Sequence, residues 1–318
     1  MCTYNGARFL PEQLESIAAQ TRLPDELVVC DDGSADESPE IVRNFAKSAA
    51  FPVRLEINER NVGSTKNFEK AIRLCQGDLI SLADQDDVWK PHKLAALETI
   101  LEGHPEAGYA FSDAELIDAA GRRTGKGQWA SLRINAAHIN QFRRTNQFPI
   151  LLRRTVVTGA TMAFRASLRN ILLPISRNSI HDYWISLIAS GIGACGIPTH
   201  EKLIYYRQHE SQQIGPGSKS LIEKVRQARQ WGASGYDRAT HGYLDLRERL
   251  LLTAVEGRAY PSTYIALVEE KIEHCSRRAA AHSTRGRARV SKIISEVLTG
   301  RYVRFSDSWR SVVRDLCF

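Results

Sequence analysis

The sequence predicts an α/β fold, with a mainly parallel sheet flanked by helices and a helical region at the C-terminal end. Three observations carry this. Short apolar runs alternate with helical patterns through the first half of the 318 residues. Two of those runs end in clusters of aspartates. Beyond Gly215 the strand patterns stop and basic helical patterns take over.

The elements follow in order. Ala7 to Ala19 places Phe9, Leu14, Ile17 and Ala18 on one helical face. Glu26 to Cys30 is a short apolar run suited to a buried strand, and Asp31-Asp32-Gly33-Ser34 closes it as a turn. Ser38 to Ala46 is the next helix, with Pro39 in its first turn. Val53 to Ile57 alternates with period two, a strand, and Asn61-Val62-Gly63 is a loop before a helix over Thr65 to Leu74. Asp78 to Ala83 forms a strand ending in Asp84-Gln85-Asp86-Asp87, followed by a helix over Lys93 to Glu102 and a strand over Ala107 to Ser112. Four further helices are expected at 220–230, 243–255, 262–281 and 290–298. A domain boundary is expected near Gly215-Pro216-Gly217, separating residues 1–215 from 216–318.

Charge divides along the same line. The total is +7, with −1 over residues 1–215 and +8 over 216–318. The two regions are therefore expected to meet different partners. No apolar run approaches the ~18 residues of a membrane span, and no basic-then-apolar leader opens the chain. A cytoplasmic chain is expected. Six scattered cysteines, with no CxxC pair, point to reduced and mostly buried thiols. The basic tail reads first as solvated helices covering the front domain. Its second reading is peripheral contact with the anionic inner face of the cell membrane, with Arg277, Arg278, Arg285, Arg287, Arg289 and Lys292 as the densest cluster. No nucleic-acid-binding motif accompanies these charges, so nucleic acid is not an expected partner.

In parallel sheets, ligands sit at the carboxyl ends of strands. Both aspartate clusters occupy such ends, so they can share one site although more than fifty residues separate them. Asp84, Asp86 and Asp87 repel one another unless a cation or donor compensates them. Mg²⁺ or Mn²⁺ fits oxygen ligands of this kind, and a solvated, helix-capping turn carries equal weight. Asp31 and Asp32 read first as a turn. His181-Asp182-Tyr183-Trp184 supplies a carboxylate suited to a general base and aromatic surface suited to a sugar, and Asp182 equally suits a helix start. Tyr205 to His209 ends a strand with Arg207 and His209 on one side, suited to phosphate and metal. Each of these groups taken singly is more easily structural than functional.

Taken in order, Thr3-Tyr4-Asn5-Gly6, Asp31-Asp32-Gly33-Ser34, Asn61-Val62-Gly63, Asp84-Gln85-Asp86-Asp87, Thr158-Gly159-Ala160-Thr161-Met162, His181-Asp182-Tyr183-Trp184 and Arg207-Gln208-His209 resemble the family 2 glycosyltransferases, most closely a rhamnosyltransferase-type bacterial branch. The likeness covers about residues 1–215. It implies a GT-A fold, Rossmann-like and nucleotide-sugar-binding, and an inverting transfer of a sugar from a nucleotide-diphosphate donor to a hydroxyl of a surface-polysaccharide or lipid-linked glycan. On that template Thr3, Tyr4, Asn5, Asp31 and Asp32 border the donor base and ribose. Asn61, Lys66 and Asn67 lie near its base or phosphates. Asp84 and Asp86 match the DxD metal motif, Asp182 stands at the catalytic base, and Arg207 and His209 close on the diphosphate, His209 as a metal ligand. His181, Tyr183 and Trp184 would meet the acceptor. A deoxythymidine-diphosphate rhamnose donor is expected first, a uridine-diphosphate hexose second. The family opens with an apolar strand leading into Thr-Tyr-Asn. Only Met1 and Cys2 precede Thr3 here, so a shortened first strand is expected, and added upstream codons are expected to improve solubility and activity. Two other classes stay open. A nucleotidyltransferase would normally carry a Gly-rich, basic phosphate loop, which Thr3 to Leu10 lacks. A catalytically impaired sugar-nucleotide-binding relative is favoured by the short first strand and opposed by Asp84, Asp86 and Asp182.

Overall fold

The computed structural model describes residues 1–210, 221–255 and 262–317. The expected boundary at Gly215-Pro216-Gly217 lies outside them. The strands are β1 (Cys2–Thr3), β2 (Leu27–Asp31), β3 (Val53–Ile57), β4 (Leu79–Ser81), β5 (Val88–Trp89), β6 (Ala107–Ile117), β7 (Arg123–Gly127), β8 (Met162–Arg165) and β9 (Cys195–Arg207). The helices of the front region are α1 (Leu10–Ala18), α2 (Ser38–Ala46), α3 (Ser64–Leu74), α4 (Lys93–Glu102), α5 (Gln128–Ser131), α6 (Ala136–Arg144), α7 (Gln147–Arg153), α8 (Arg169–Leu172) and α9 (His181–Gly191). The C-terminal region holds α10 (Leu221–Val255), α11 (Ser262–His282), α12 (Gly286–Leu298), α13 (Arg301–Phe305) and α14 (Trp309–Cys317). Gly232 leaves helical geometry and breaks α10.

The strands form two sheets. The first has the order β1-β2-β3 and is parallel throughout. The second runs β4-β8-β6-β9-β5, with β7 on β6. Only β6 and β9 pair in parallel there; β4–β8, β8–β6, β5–β9 and β6–β7 are antiparallel. The parallel pairing expected from the sequence holds for β1-β2-β3 and for β6–β9, while the remaining pairs make the second sheet mixed. β8 returns from the α7 region to run antiparallel between β4 and β6, and β5 and β7 add the two other antiparallel pairings.

β2 is buried at every position, as a central strand requires. β1 pairs over Cys2 and Thr3 alone. Met1 donates its amine to the Val28 carbonyl at 2.8 Å, and the Cys2 N–H reaches Ala83 O at 3.3 Å. Below that junction a cleft of 380 Å³ separates β2 from β4, lined by Leu27, Val28, Leu79, Ile80 and Ala163 among others. The main core packs α3, α7 and α9 on the second sheet, around Phe68, Phe111, Phe148, Phe164 and Trp184. Tyr243, Leu246 and Leu250 of α10 and Tyr264 and Val268 of α11 join the same core. The C-terminal helices are thus fastened to the front region by apolar burial. Among the described residues no helix is long and apolar enough to cross a membrane.

Candidate active site

The carboxyl end of β4 carries Asp84, Gln85, Asp86 and Asp87 into the space above the sheet. Asp84 and Asp86 are half-buried, whereas Asp87 is buried. The Asp84 carboxyl is pushed up to about 7 by burial, then by repulsion from Asp86 and from Asp182. Asp182 stands in the first turn of α9, almost one hundred residues further on. The fold therefore brings Asp182 near enough for its charge to act on Asp84. Asp182 is held by two backbone donors: Gly159 N–H to Oδ2 at 2.8 Å and its neighbour Tyr183 N–H to Oδ1 at 2.6 Å. A Cβ at Gly159 would stand 2.9 Å from His181 Nε2, so the close approach of this loop to α9 requires glycine.

His209 follows β9 and sets Nε2 2.7 Å from Asp86 Oδ2. Its ring lies 4.7 Å from that of Phe9. Two half-buried carboxylates with little compensation, and an imidazole on one of them, suit a divalent cation. Among the described residues no three His, Cys, Asp or Glu side chains converge as a ready-made metal cage. An ion here would complete its shell with substrate phosphate, as Mg²⁺ commonly does.

The third aspartate has a different place. Asp87 Oδ1 accepts from Arg207 N–H at 3.0 Å, and its Oδ2 is buried without a partner. Burial, with the charges of Asp86 and Asp84 adding, pushes its carboxyl well above the usual range. It does not cap a helix. Lys93 is wholly buried below, donating to Ala160 O at 2.8 Å with its ammonium 3.5 Å from the Trp89 ring centre. Burial lowers its proton affinity strongly, against the pull of Asp87 and Asp84.

The expected donor residues divide into two groups. Tyr4, Asn5 and Asn61 are exposed at the rim. Asn5 adopts a positive φ of 47°, with its N–H on Ser34 Oγ and its Oδ1 accepting from Ala35 N–H, both at 2.8 Å. Tyr4 and Gln85 exchange hydrogen bonds, joining the rim of the first sheet to the aspartate loop. The second group belongs to the frame. Asp31 is fully buried and takes Ser34 N–H, Ser34 Oγ and Thr3 Oγ1, so it holds the turn. Asp32 takes Asn58 Nδ2 and the N–H groups of Val62 and Gly63. Asn67 is buried, donates to Cys30 O and accepts from Asn58. Lys66 is engaged by Glu69 and Ile175 O. These four are engaged within the chain and shape the rim from behind.

Two further expectations change. Arg207 uses all its guanidinium nitrogens inside the chain: Nε to Asp86 O at 2.8 Å, Nη1 to Asp118 O at 3.5 Å and Nη2 to the Glu12 carboxylate. It holds the aspartate loop instead of facing a diphosphate. His181, Tyr183 and Trp184 do not form an acceptor platform. Trp184 is 2% exposed and donates to Leu172 O, because α9 turns this face into the core. Tyr183 turns its hydroxyl to Leu151 O and Tyr243. His181 is buried, stacked on Phe68 at 3.9 Å, and burial lowers its proton affinity. The local pattern showed aromatics beside an aspartate; which way they point follows from helix phase. Glu12, Gln85 and Lys93 were not anticipated. Lys93 opens α4 directly before its apolar Leu94-Ala95-Ala96-Leu97 run, and nothing in that local pattern marked it as buried.

Comparison with known proteins bears on family and fold. The family model described as glycosyl transferase family 2 matches residues 1–172. An uncharacterized glycosyltransferase of Nostoc is 33% identical over 115 residues, 36% of this chain and 35% of that protein. The undecaprenyl-phosphate 4-deoxy-4-formamido-L-arabinose transferase of Pseudomonas syringae is 31% identical over 183 residues, 55% of this chain and 52% of that one. The matched stretch thus spans about a third to a half of these relatives' length. Among solved structures, TarS of S. aureus with UDP-GlcNAc superposes with a TM-score of 0.52 at 16% identity, over 93% of this chain and 87% of that one. A mannosyltransferase of Pyrobaculum calidifontis with GDP-Man and Mn²⁺ gives 0.54 at 16% identity, over 99% and 84%. The fold is GT-A, with a mixed sheet and a helical C-terminal region. With a family model covering more than half of its length, the chain belongs to glycosyl transferase family 2.

Proposed function

We propose that the chain transfers a sugar, with inversion, from a nucleotide-diphosphate donor to a hydroxyl of a surface-polysaccharide or lipid-linked glycan. The observation that carries this is the charge coupling of Asp84, Asp86 and Asp182 at one place. Asp84, Asp86 and His209 would hold Mg²⁺ or Mn²⁺, which when bound offsets the charge developing on the departing diphosphate. Tyr4, Asn5 and Asn61 would border the base and ribose, with Thr3, Asp31, Asp32, Lys66 and Asn67 fixing the loops behind them. Asp182 takes the proton of the acceptor hydroxyl. The freed oxygen attacks the anomeric carbon from the side opposite the diphosphate, one C–O bond forms as the other breaks, and the configuration inverts. Arg207 keeps the Asp86–Asp87 backbone in place through both steps.

Residues 1–215 form the catalytic unit in this reading, and residues 216–318 bring it to an anionic membrane surface where lipid-linked acceptors reside. Rhamnose linked to deoxythymidine diphosphate is the first donor proposed, on the order of the sequence motifs; uridine-diphosphate hexoses come second. The test is a hydrolysis and transfer screen across nucleotide sugars with Mn²⁺, Mg²⁺ or EDTA, joined to calorimetric titration of the nucleotide diphosphates. Metal-dependent turnover of one donor is expected. Tight nucleotide-diphosphate binding without turnover of any donor would instead make the chain a sugar-nucleotide-binding relative.

A further inference from the structure

We infer that α12 and α14 form a membrane-docking ridge, which seats the protein on an anionic lipid surface by shallow insertion of apolar side chains between arginines. The inference deepens the peripheral membrane contact proposed above and does not depend on the transfer chemistry.

Exposed apolar side chains are concentrated at this end of the chain. Of the sixteen large hydrophobic residues exposed among the described residues, eight lie between Val290 and Leu316. On α12 they are Val290, Ile294, Val297 and Leu298, spaced as one helical stripe, with Leu298 83% exposed. The opposite side of the helix turns Ile293 and Glu296 inward. On α14 the stripe is Trp309, Val313 and Leu316, at spacings of four and three, while Ser311 and Asp315 face inward. Val303 of α13, between them in the chain, is 61% exposed. The two stripes meet: Val290 and Ile294 share an open cleft of 1070 Å³ with Leu316 and Cys317. Isolated exposed apolar residues need no explanation, but two matched stripes meeting at a cleft mark an interaction surface.

The charges around the ridge identify the partner. Arg285, Arg287 and Arg289 line the same cleft. Arg310 lies over the Trp309 ring, 5.6 Å from its centre. Among the described residues, the ion pairs of the C-terminal helices engage none of these four arginines, nor Lys292. Arg285, Arg287 and Arg310 are exposed and open to phosphate groups, while Arg289 also reaches His282 Nδ1 at 3.4 Å and Lys292 donates to Ala280 O at 3.1 Å. The remaining basic residues of the expected cluster are held in ion pairs. Arg278 is buried against Asp315, and Arg277 pairs with Glu273. Apolar stripes with a tryptophan, rimmed by unpaired arginines, match the headgroup–acyl boundary of an anionic bilayer. A second copy of the chain would bring the same cations face to face, which disfavours it as the occupant.

The test uses the full chain and vesicles of phosphatidylglycerol with phosphatidylcholine, or of phosphatidylcholine alone, without donor, acceptor or metal. The wild-type chain is expected to float with the anionic vesicles and not with the neutral ones. Ile294→Glu with Val313→Glu is expected to lower that binding at least about tenfold while leaving every arginine in place. Arg287→Gln with Arg289→Gln is expected to weaken it and flatten its salt dependence. Both pairs are exposed or half-exposed, and unchanged circular dichroism melting and donor hydrolysis verify the fold. Equal binding by the Ile294→Glu, Val313→Glu chain overturns the ridge. So does a wild-type chain that ignores anionic vesicles, or one whose ridge instead sustains a dimer in analytical ultracentrifugation. Loss of donor turnover with vesicle binding retained counts against the transfer reading alone.

Discussion

Asp182→Asn separates the proposed base from its structural duties. The carboxylate accepts Gly159 N–H on one oxygen and Tyr183 N–H on the other. An asparagine keeps one acceptor and turns an NH₂ toward the second donor. Leaving that donor unsatisfied costs about 1–3 kcal/mol of stability. The loss of proton abstraction costs more in rate: general-base assistance is worth about 10²–10⁴-fold, or roughly 3–5 kcal/mol of barrier. The charge change also reaches Asp84. With one of its two repelling neighbours gone, the Asp84 carboxyl falls below its value of about 7. Binding of nucleotide diphosphate with Mn²⁺ at neutral pH should therefore hold or improve. Steady-state transfer, titration calorimetry and urea unfolding of the same preparation read the three effects. An asparagine chain with more than about a tenth of the wild-type kcat would refute the assignment, as would a collapse of diphosphate binding with kcat retained.

Asp84→Asn is expected to abolish metal-dependent donor hydrolysis, as EDTA should in the wild type; activity unaffected by both would remove the cation from the scheme. Gly159→Ala drives a methyl to within 2.9 Å of His181 Nε2 and displaces the start of α9. A kcat lowered by about 10–100-fold, with donor KM little changed, is expected from kinetics, since small misplacements of a reacting group are costly. Arg278→Met strips the partner from buried Asp315, which also takes Tyr302 Oη at 2.7 Å, and should destabilise the chain by about 3–5 kcal/mol in urea unfolding. Acid should act through His274. Burial, with Arg278 and Lys271 adding and against the Glu296 hydrogen bond, holds its imidazole down to about 4. The unfolded chain takes up that proton near 6.5. Stability is then complete above about pH 6.5 and declines by about 3 kcal/mol as pH falls to about 4, a slope that His274→Asn should flatten in urea titrations at stepped pH.

Local patterns were enough for much of the front. Ser38 to Ala46, Val53 to Ile57 and Lys93 to Glu102 were readable to the residue because a single face or alternation decided each. β8 was invisible as a strand: Met162 to Arg165 earns its pairing from β4 and β6, more than eighty and more than fifty positions away respectively. Only the last part of β9 was anticipated, because its thirteen residues switch from burial on one side to pairing with β5 at Val88 and Trp89. At the site, the residue types were legible while their directions were not. Asp84, Asp86, His209 and Asp182 do gather. Trp184 carries the same kind of motif signal and points into the core, since a helix of fixed phase can offer only one face to the site. Arg207 looked like an anion ligand because its partner Glu12 lies 195 positions earlier, beyond any local pattern.

The junction at β1 has a consequence for how the centre measures its substrate. The rim residues ride on the three-stranded sheet and the acidic cluster on the other, so in the proposed reading the ruler between nucleoside and sugar is assembled from two pieces. What joins them near the rim is the Cys2 N–H on Ala83 and the Tyr4–Gln85 exchange. Loosening that seam, for instance by Gln85→Ala, would alter the span without touching either end, and the cost would surface as donor discrimination before it surfaced as lost chemistry.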